Sequence, residues 1–326
     1  MNKVLIINKA NINYSGAKVR NLNLAIELSK RNKKVFLLTI NELKIYINGK
    51  RVFQKKINLL DFFIIFFRRY QFWLCDIIIF SIFLKKNLFF TIHDIKEWMD
   101  YNRGGLLKKI LIYIIVKKSK FCITLSKKLS IFLSKKYNKK FYIIKNGLSP
   151  QWLQTPKKIK IIEKYLIYVS NFMAHKNHLS LIKLQKNLNY KIFLVGRPID
   201  KKGLEIYNSL KNNKNFKIVS NPSNSKLQSL VKYSQFVLFP SKLEGFGIPI
   251  IESLSQGKSI LIEGDLRKQL PFFSKCKKIF FHDFSKKFNV NDVKKILTRK
   301  SCKNCIYKDF DWQKITDDFE KIIEKI

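Results

Sequence analysis

The sequence predicts an α/β fold with two doubly wound parallel sheets, on three observations. Short apolar runs of strand length alternate with helix-patterned segments along most of the chain. The series starts twice, at Lys3 and again at Tyr165, with a proline-bearing stretch between. A length of 326 residues with 46% hydrophobic composition is enough for two domains and a large core.

Lys3 to Asn8 reads as a buried parallel strand. Residues 19–31 read as the helix after it, with Val19, Leu22, Ala25, Ile26 and Leu28 at helical spacing. Val35 to Thr39 is the next strand, and Phe62–Phe67, Ile77–Phe80 and Phe89–Ile92 are further short apolar runs in the series. The first Rossmann-like domain closes near Asn146-Gly147. Residues 150–160, with two prolines, read as a linker. The second series has strands at Tyr165–Ser170, Lys191–Val195, Phe216–Val219, Phe236–Phe239, Ser259–Ile262 and Lys278–Phe281, separated by helices near 179–188, 201–212 and 224–233. The expected division is 1–152, 153–308 and a terminal helix in 309–326. Two such domains make a cleft, and open α/β sheets bind ligands beyond the carboxyl ends of their strands.

Lys and Arg number 65 against 22 Asp and Glu, a formal net charge of +43. Nucleic acid, an anionic membrane surface and phosphorylated ligands all suit that balance. An AT-rich coding bias would also enrich Lys, Ile, Asn and Phe without any specific partner. Residues 101–150 carry thirteen Lys/Arg and no Asp/Glu, beside the apolar runs 110–116 and 129–133. Basic and apolar residues together on helices fit an anionic lipid interface, at about 1 kcal/mol per basic residue near the surface. A core-facing helix with a solvated basic face has the same pattern. No segment reaches the roughly 20 apolar residues of a spanning helix; Phe72–Leu84 comes nearest and contains Asp76. The chain opens directly on a strand without the pattern of a signal peptide, so a cytoplasmic location is expected. Five cysteines, an odd number, fit reduced thiols there. Cys302 and Cys305 have metal-like spacing but no matching second pair, and read as loop cysteines.

The most specific segment is Ser241-Lys-Leu-Glu244-Gly-Phe-Gly247-Ile248-Pro249-Ile-Ile-Glu252, directly after the strand Phe236–Phe239. Pro249 suits the first turn of a helix. A strand, a glycine turn and a helix start form a natural phosphate site, because free N–H groups and the helix dipole converge there. Glu244 and Glu252 beside it are placed to bond hydroxyl groups, as a sugar nucleotide requires.

This segment resembles the E-x7-E signature of retaining glycosyltransferases of the GT-B fold, family 4. Four further segments resemble the family in order: Tyr14-Ser15-Gly16-Ala17, Phe90-Thr-Ile-His93-Asp94, Ile123–Lys127 with Tyr142–Gly147, and Tyr168–Asn177 containing Lys176. The first has one glycine where relatives have a pair. Ser170 stands where many relatives have an arginine of the phosphate clamp. Taken alone, His93 also reads as a strand or helix cap, and Asn146-Gly147 as simple turn chemistry. The terminal segment from Phe310-Asp311-Trp312 to Ile326 resembles the family's last helix.

The resemblance implies two Rossmann-like domains facing across a cleft, with the C-terminal helix crossing back to the first. It implies transfer of a sugar from a nucleoside-diphosphate sugar, with retention, to a glycan or lipid-linked acceptor. Bacterial O-antigen, capsule or lipopolysaccharide assembly is the expected setting, with the protein cytoplasmic or peripheral on the inner face of the cell membrane. His93 and Glu244 take the catalytic positions. Gly16, Lys176, Gly247, Ile248 and Glu252 take the donor-binding ones. Lys176 and backbone N–H groups stabilise the leaving diphosphate, so neither metal nor cofactor is expected. Two alternatives are a basic nucleic-acid-binding protein and another GT-B enzyme such as a sugar-nucleotide epimerase.

Overall fold

The computed structural model describes residues 2–7, 16–39, 41–66, 68, 70, 72–75, 88–92, 106–158, 163–188, 190–274, 276–298 and 306–324. The chain runs β1 (Asn2–Ile7), α1 (Gly16–Ser29), β2 (Lys33–Thr39), β3 (Glu42–Ile47), β4 (Lys50–Lys56), α2 (Leu59–Phe66), β5 (Phe72–Cys75), β6 (Leu88–Ile92), α3 (Leu106–Lys118), β7 (Phe121–Thr124), α4 (Lys127–Tyr137) and β8 (Phe141–Ile143). It continues through β9 (Tyr165–Val169), α5 (Ser180–Lys186), β10 (Lys191–Val195), α6 (Lys201–Lys211), β11 (Phe216–Val219), α7 (Asn224–Tyr233), β12 (Val237–Phe239), α8 (Ile248–Ser255), β13 (Ile260–Glu263), α9 (Leu266–Gln269), β14 (Ile279–His282), α10 (Val290–Thr298) and α11 (Trp312–Ile323). Two compact units result: Met1–Ser149 with Phe310–Ile326, and Pro150–Asp309.

In the first unit, among the described residues, the sheet order is β4-β3-β2-β1-β5-β6-β7-β8. Val4 to Ile7 of β1 are fully buried between parallel β2 and β5. A strand covered on both faces wants apolar residues at every position, which is why this run does not alternate. The sheet is not wholly parallel. β3 and β4 form an antiparallel hairpin on β2. Its turn is Asn48-Gly49, with φ of 49° and 77°, the left-handed pair that a two-residue hairpin turn requires. Edge strand β4 is exposed at every residue and carries Lys50, Arg51, Lys55 and Lys56, charges that discourage strand addition.

The apolar run 62–67 is not a strand: α2 covers Leu59–Phe66. Asn58 begins it, its side-chain oxygen accepting from the Asp61 N–H at 2.7 Å. A short run that is apolar all round has no period to separate strand from helix, and here the cap decides. The run Ile77–Phe80 lies outside the described residues. Ser126 caps α4 by accepting from the Leu129 N–H, and Asn138 ends it at φ 45°.

α11 completes the first unit from the other end of the chain. Asp311 caps it, and it packs on α1. Trp312, Ile315, Phe319 and Ile322 join one core with Val4, Ile6, Leu24, Leu28, Phe89 and Ile123. Arg31 pairs with Asp317 and Glu320, and Lys33 also reaches Glu320. Asn146-Gly147 turns out to be a packing device, not a left-handed turn. A Cβ on Gly147 would stand 2.6 Å from the Trp312 ring.

The second unit is a parallel sheet in the order β11-β10-β9-β12-β13-β14. The order reverses between β9 and β12, the topological switch point of a doubly wound fold. The proline-bearing stretch after residue 149 does not behave as a free linker. Trp152 is buried, and its carbonyl accepts from Ser255 Oγ at 3.1 Å and Gln256 Nε2 at 2.6 Å. Gln228 Nε2 donates to the Gln151 and Gln154 carbonyls. The strap is held on α7 and α8 by backbone acceptors, which composition does not reveal.

Candidate functional site

The segment after β9 folds back as a short 3-10 turn, Ala174–Lys176, closed by Asn177 in the left-handed region at φ 54°. Three contacts fix it. The Tyr168 hydroxyl donates to the Lys176 carbonyl at 2.8 Å. The Lys242 N–H donates to the His175 carbonyl at 2.9 Å. His178 is buried against Tyr168 and Phe172, with ring centroids 4.7 and 4.3 Å away. Burial pushes the His178 imidazole down to about 3, so it stays neutral at physiological pH and serves as a packing element. The same burial pushes the Tyr168 phenol well above its usual value, keeping it a donor.

After β12 the chain passes Pro240 and Ser241 to reach Glu244, which is 9% exposed. Lys176 Nζ donates to Glu244 Oε1 at 2.6 Å. Sixty-eight residues of chain separate the two. Gln269 spans the same loop, donating to the Lys242 carbonyl at 3.0 Å while accepting from the Glu244 N–H at 3.5 Å. Gly247 has φ 80° and precedes α8, with Pro249 in the first turn. An alanine there would be strained by that φ, and its Cβ would meet Ile250 Cδ1 at 2.7 Å. Pro249 has no N–H and the Ile250 N–H donates to the Gly247 carbonyl at 2.9 Å, so the Ile248 N–H is the first-turn donor left at the positive end of the helix dipole. Lys176, Glu244 and Gly247 thus lie on the segments that leave the carboxyl ends of adjacent β9 and β12, and Ile248 opens α8 directly after them.

Glu252 sits on α8 and is half-buried. Burial pushes its carboxyl up to about 8, against a hydrogen bond from the Trp152 side chain that pulls it down. Its folded-state value is above the unfolded one of about 4.5, so between the two the folded protein holds a proton that the unfolded chain has lost. The stability this group contributes is full below about 4.5 and is lost as pH rises to about 8. Relative to Glu252→Gln, the wild-type melting temperature is expected to fall between about pH 5 and 8. A constant difference over that range would remove burial of this carboxyl as the cause.

Two expected site residues belong to the first unit. Gly16 is the first residue of α1; Tyr14 and Ser15 lie outside the described residues. So does His93, along with Cys302 and Cys305. Cys122 and Cys276 are buried. Among the described residues no three His, Cys, Asp or Glu side chains gather to hold a metal ion. No described helix is long and apolar enough to cross a membrane.

One residue that motif reading passed over is Arg197, just beyond β10. Its N–H donates to Asn171 Oδ1 at 3.2 Å, and its carbonyl accepts from the Phe172 N–H at 2.9 Å. Gly196 packs against the Ser170 carbonyl, where a Cβ would come within 2.1 Å. Arg197 is thereby held beside the strand end occupied by Ser170. The Gly-Arg-Pro tripeptide at a strand end was its only sequence signal.

Residues 154–263 match the family model described as Glycosyl transferases group 1, a span that includes Lys176, Glu244, Gly247, Ile248 and Glu252. The chain is 29% identical over 224 residues to the capsular polysaccharide biosynthesis glycosyltransferase CapH of Staphylococcus aureus, covering 65% of this chain and 61% of that protein. It is 28% identical over 193 residues to the O-antigen chain mannosyltransferase RfbU of Salmonella typhimurium, covering 55% and 52%. The matches therefore span between about half and two thirds of those relatives' own lengths. Among solved structures, sucrose-phosphate synthase from Thermosynechococcus elongatus superposes with a TM-score of 0.75 at 13% identity, covering 100% of this chain and 99% of that one. The Anabaena protein Alr3699/HepE, in complex with UDP and glucose, gives 0.72 at 13% identity and covers 100% of both. At those identities the likeness shows a shared fold.

Proposed function

We propose, for a chain with the fold of the GT-B glycosyltransferases and a group 1 glycosyltransferase match in its second unit, that it is a retaining, metal-independent glycosyltransferase. Its donor is a nucleoside-diphosphate sugar and its acceptor a lipid-linked or oligosaccharide glycan. The reading follows the capsular and O-antigen names of the relatives, and places the work in bacterial polysaccharide assembly at the inner membrane surface.

The observation that carries it is the Lys176–Glu244 pair beside the first turn of α8, at the carboxyl ends of β9 and β12. When the bond from the anomeric carbon to the diphosphate breaks, negative charge grows on the leaving oxygens. Lys176 and the N–H groups of Gly247 and Ile248 are fixed donors for that charge. In the proposed roles Glu244 accepts from hydroxyls of the donor sugar and holds the Lys176 ammonium in place. Glu252 takes the ribose hydroxyls, His93 lies near the transferred sugar, and Gly16 gives the phosphate room. Arg197 is the proposed substitute for the clamp arginine that Ser170 replaces. The UDP held by the Anabaena protein supports a nucleotide partner of this kind.

Titration of the protein with UDP, GDP, ADP, CMP and dTDP at physiological salt tests the reading. One diphosphate is expected to bind saturably, and about tenfold more weakly in Lys176→Ala or Glu252→Ala. Equal, salt-sensitive binding of all of them would leave only the +43 charge acting, and would favour the nucleic-acid reading. Sugar-nucleotide conversion without any acceptor would instead indicate an epimerase.

A further inference from the structure

The sheet of the first unit has two faces of different chemistry. β1 to β2 steps toward the β4 edge, whereas β4 to β5, β6 to β7 and β7 to β8 step the other way. All these strands are parallel to one another. Right-handed crossovers then place α1 on one face and α2, α3 and α4 together on the other. α11 covers the α1 face.

The other face is left apolar and basic. On α2, Phe62, Ile65 and Phe66 point into the core, while Leu59, Leu60, Phe63 and Ile64 are 59%, 68%, 37% and 50% exposed. A helix buried on one side and equally apolar on the other is uncommon on a protein that meets only water. Ile110 and Tyr113 of α3 and Ile131 and Phe132 of α4 are exposed as well. Around them stand exposed Lys117, Lys118, Lys127, Lys128, Lys135 and Lys136. Asp61 is the lone carboxylate on the three helices. Lys117 lies 5.6 Å from the Tyr113 ring and Lys136 5.5 Å from the Phe132 ring, so cations and apolar groups share one surface.

We propose that the α2–α3–α4 face docks on an anionic lipid bilayer, with the α2 stripe entering the headgroup boundary and the lysines of α3 and α4 meeting lipid charge. It rests on the proposed reading only in that a lipid-linked acceptor gives the docking a purpose. A second copy of the chain is disfavoured as occupant, because a two-fold contact sets these lysines against themselves, and Asp61 is the one carboxylate these three helices bring to offset them. Nucleic acid uses the cations but gives no return for exposing Leu59, Leu60 and Ile64.

Flotation of the full chain with phosphatidylglycerol-containing vesicles and with pure phosphatidylcholine vesicles tests this without donor or acceptor. The protein is expected to float with the anionic vesicles and stay behind with the neutral ones. Leu60→Ser/Ile64→Ser should cut the floated fraction about fivefold, and Lys128→Glu/Lys135→Glu should do so at low salt. Leu204→Ser, an exposed site in the second unit, should float normally. Circular dichroism and nucleotide titration should match wild type in every variant. Equal flotation with both vesicle types would overturn the proposal. So would wild-type flotation of Leu60→Ser/Ile64→Ser, or light scattering that shows a dimer which this variant splits. None of those results touches nucleotide binding, so failure here and failure of the transferase reading are separate outcomes.

Discussion

Glu244→Gln is expected to give a folded protein whose sugar transfer is slower by roughly a hundredfold or more. Gln has the shape of Glu and still offers an oxygen to Lys176 Nζ, which lies 2.6 Å from Glu244 Oε1 in the wild type. What it loses is the charge that holds the ammonium and accepts strongly from sugar hydroxyls. Lys176→Ala should behave differently. It leaves the Glu244 carboxylate, with its side chain only 10% exposed, without a counter-ion. A loss of about 1–3 kcal/mol of stability is expected beside the weaker nucleotide binding. The double variant Lys176→Ala/Glu244→Gln then recovers stability relative to Lys176→Ala without recovering transfer. That sign of coupling, read by urea unfolding and by product formation, separates a structural pair from a working one. Wild-type turnover in Glu244→Gln would remove Glu244 from the site.

Trp312→Ala should cost the first unit about 3–5 kcal/mol, read as a fall in the urea midpoint. Trp312 is 3% exposed, joins the core formed with β1 and α1, and fills the space that Gly147 leaves open. Truncation removes the anchor of α11 together with a large buried ring. Among the described residues the indole N–H finds no acceptor. Trp312→Phe, which deletes that donor and keeps a ring, should therefore lose much less. Gly147→Ala is expected to lose about 1–3 kcal/mol because the ring must give way. If Trp312→Ala unfolds at the wild-type midpoint, α11 is not held by this contact.

Much of the second unit was legible as sequence. The apolar runs at β9, β10, β12 and β13, the helix at 224–233 and the first-turn role of Pro249 are local features, and each appears where its pattern indicates. The loop from Glu244 to Glu252 was equally readable, because glycine and proline announce their backbone geometry. The first unit was harder. The β3–β4 hairpin has Asn48-Gly49 as its signal, but its strands are mixed in polarity and fell between the apolar runs. α2 was apolar at nearly every position and carried no period to read. The basic apolar character of residues 101–150 was visible, yet its kinship with α2 depends on strand order.

The sequence by itself determined two α/β cores, a glycine turn at a strand end, two carboxylates eight positions apart and an excess of positive charge. All of these depend on a residue and its near neighbours. Only the tertiary structure decided that Lys176 meets Glu244 and that Gly147 yields its space to Trp312. Ion pairing and close packing act through distances between atoms far apart in the chain, and spacing along the chain does not carry those distances.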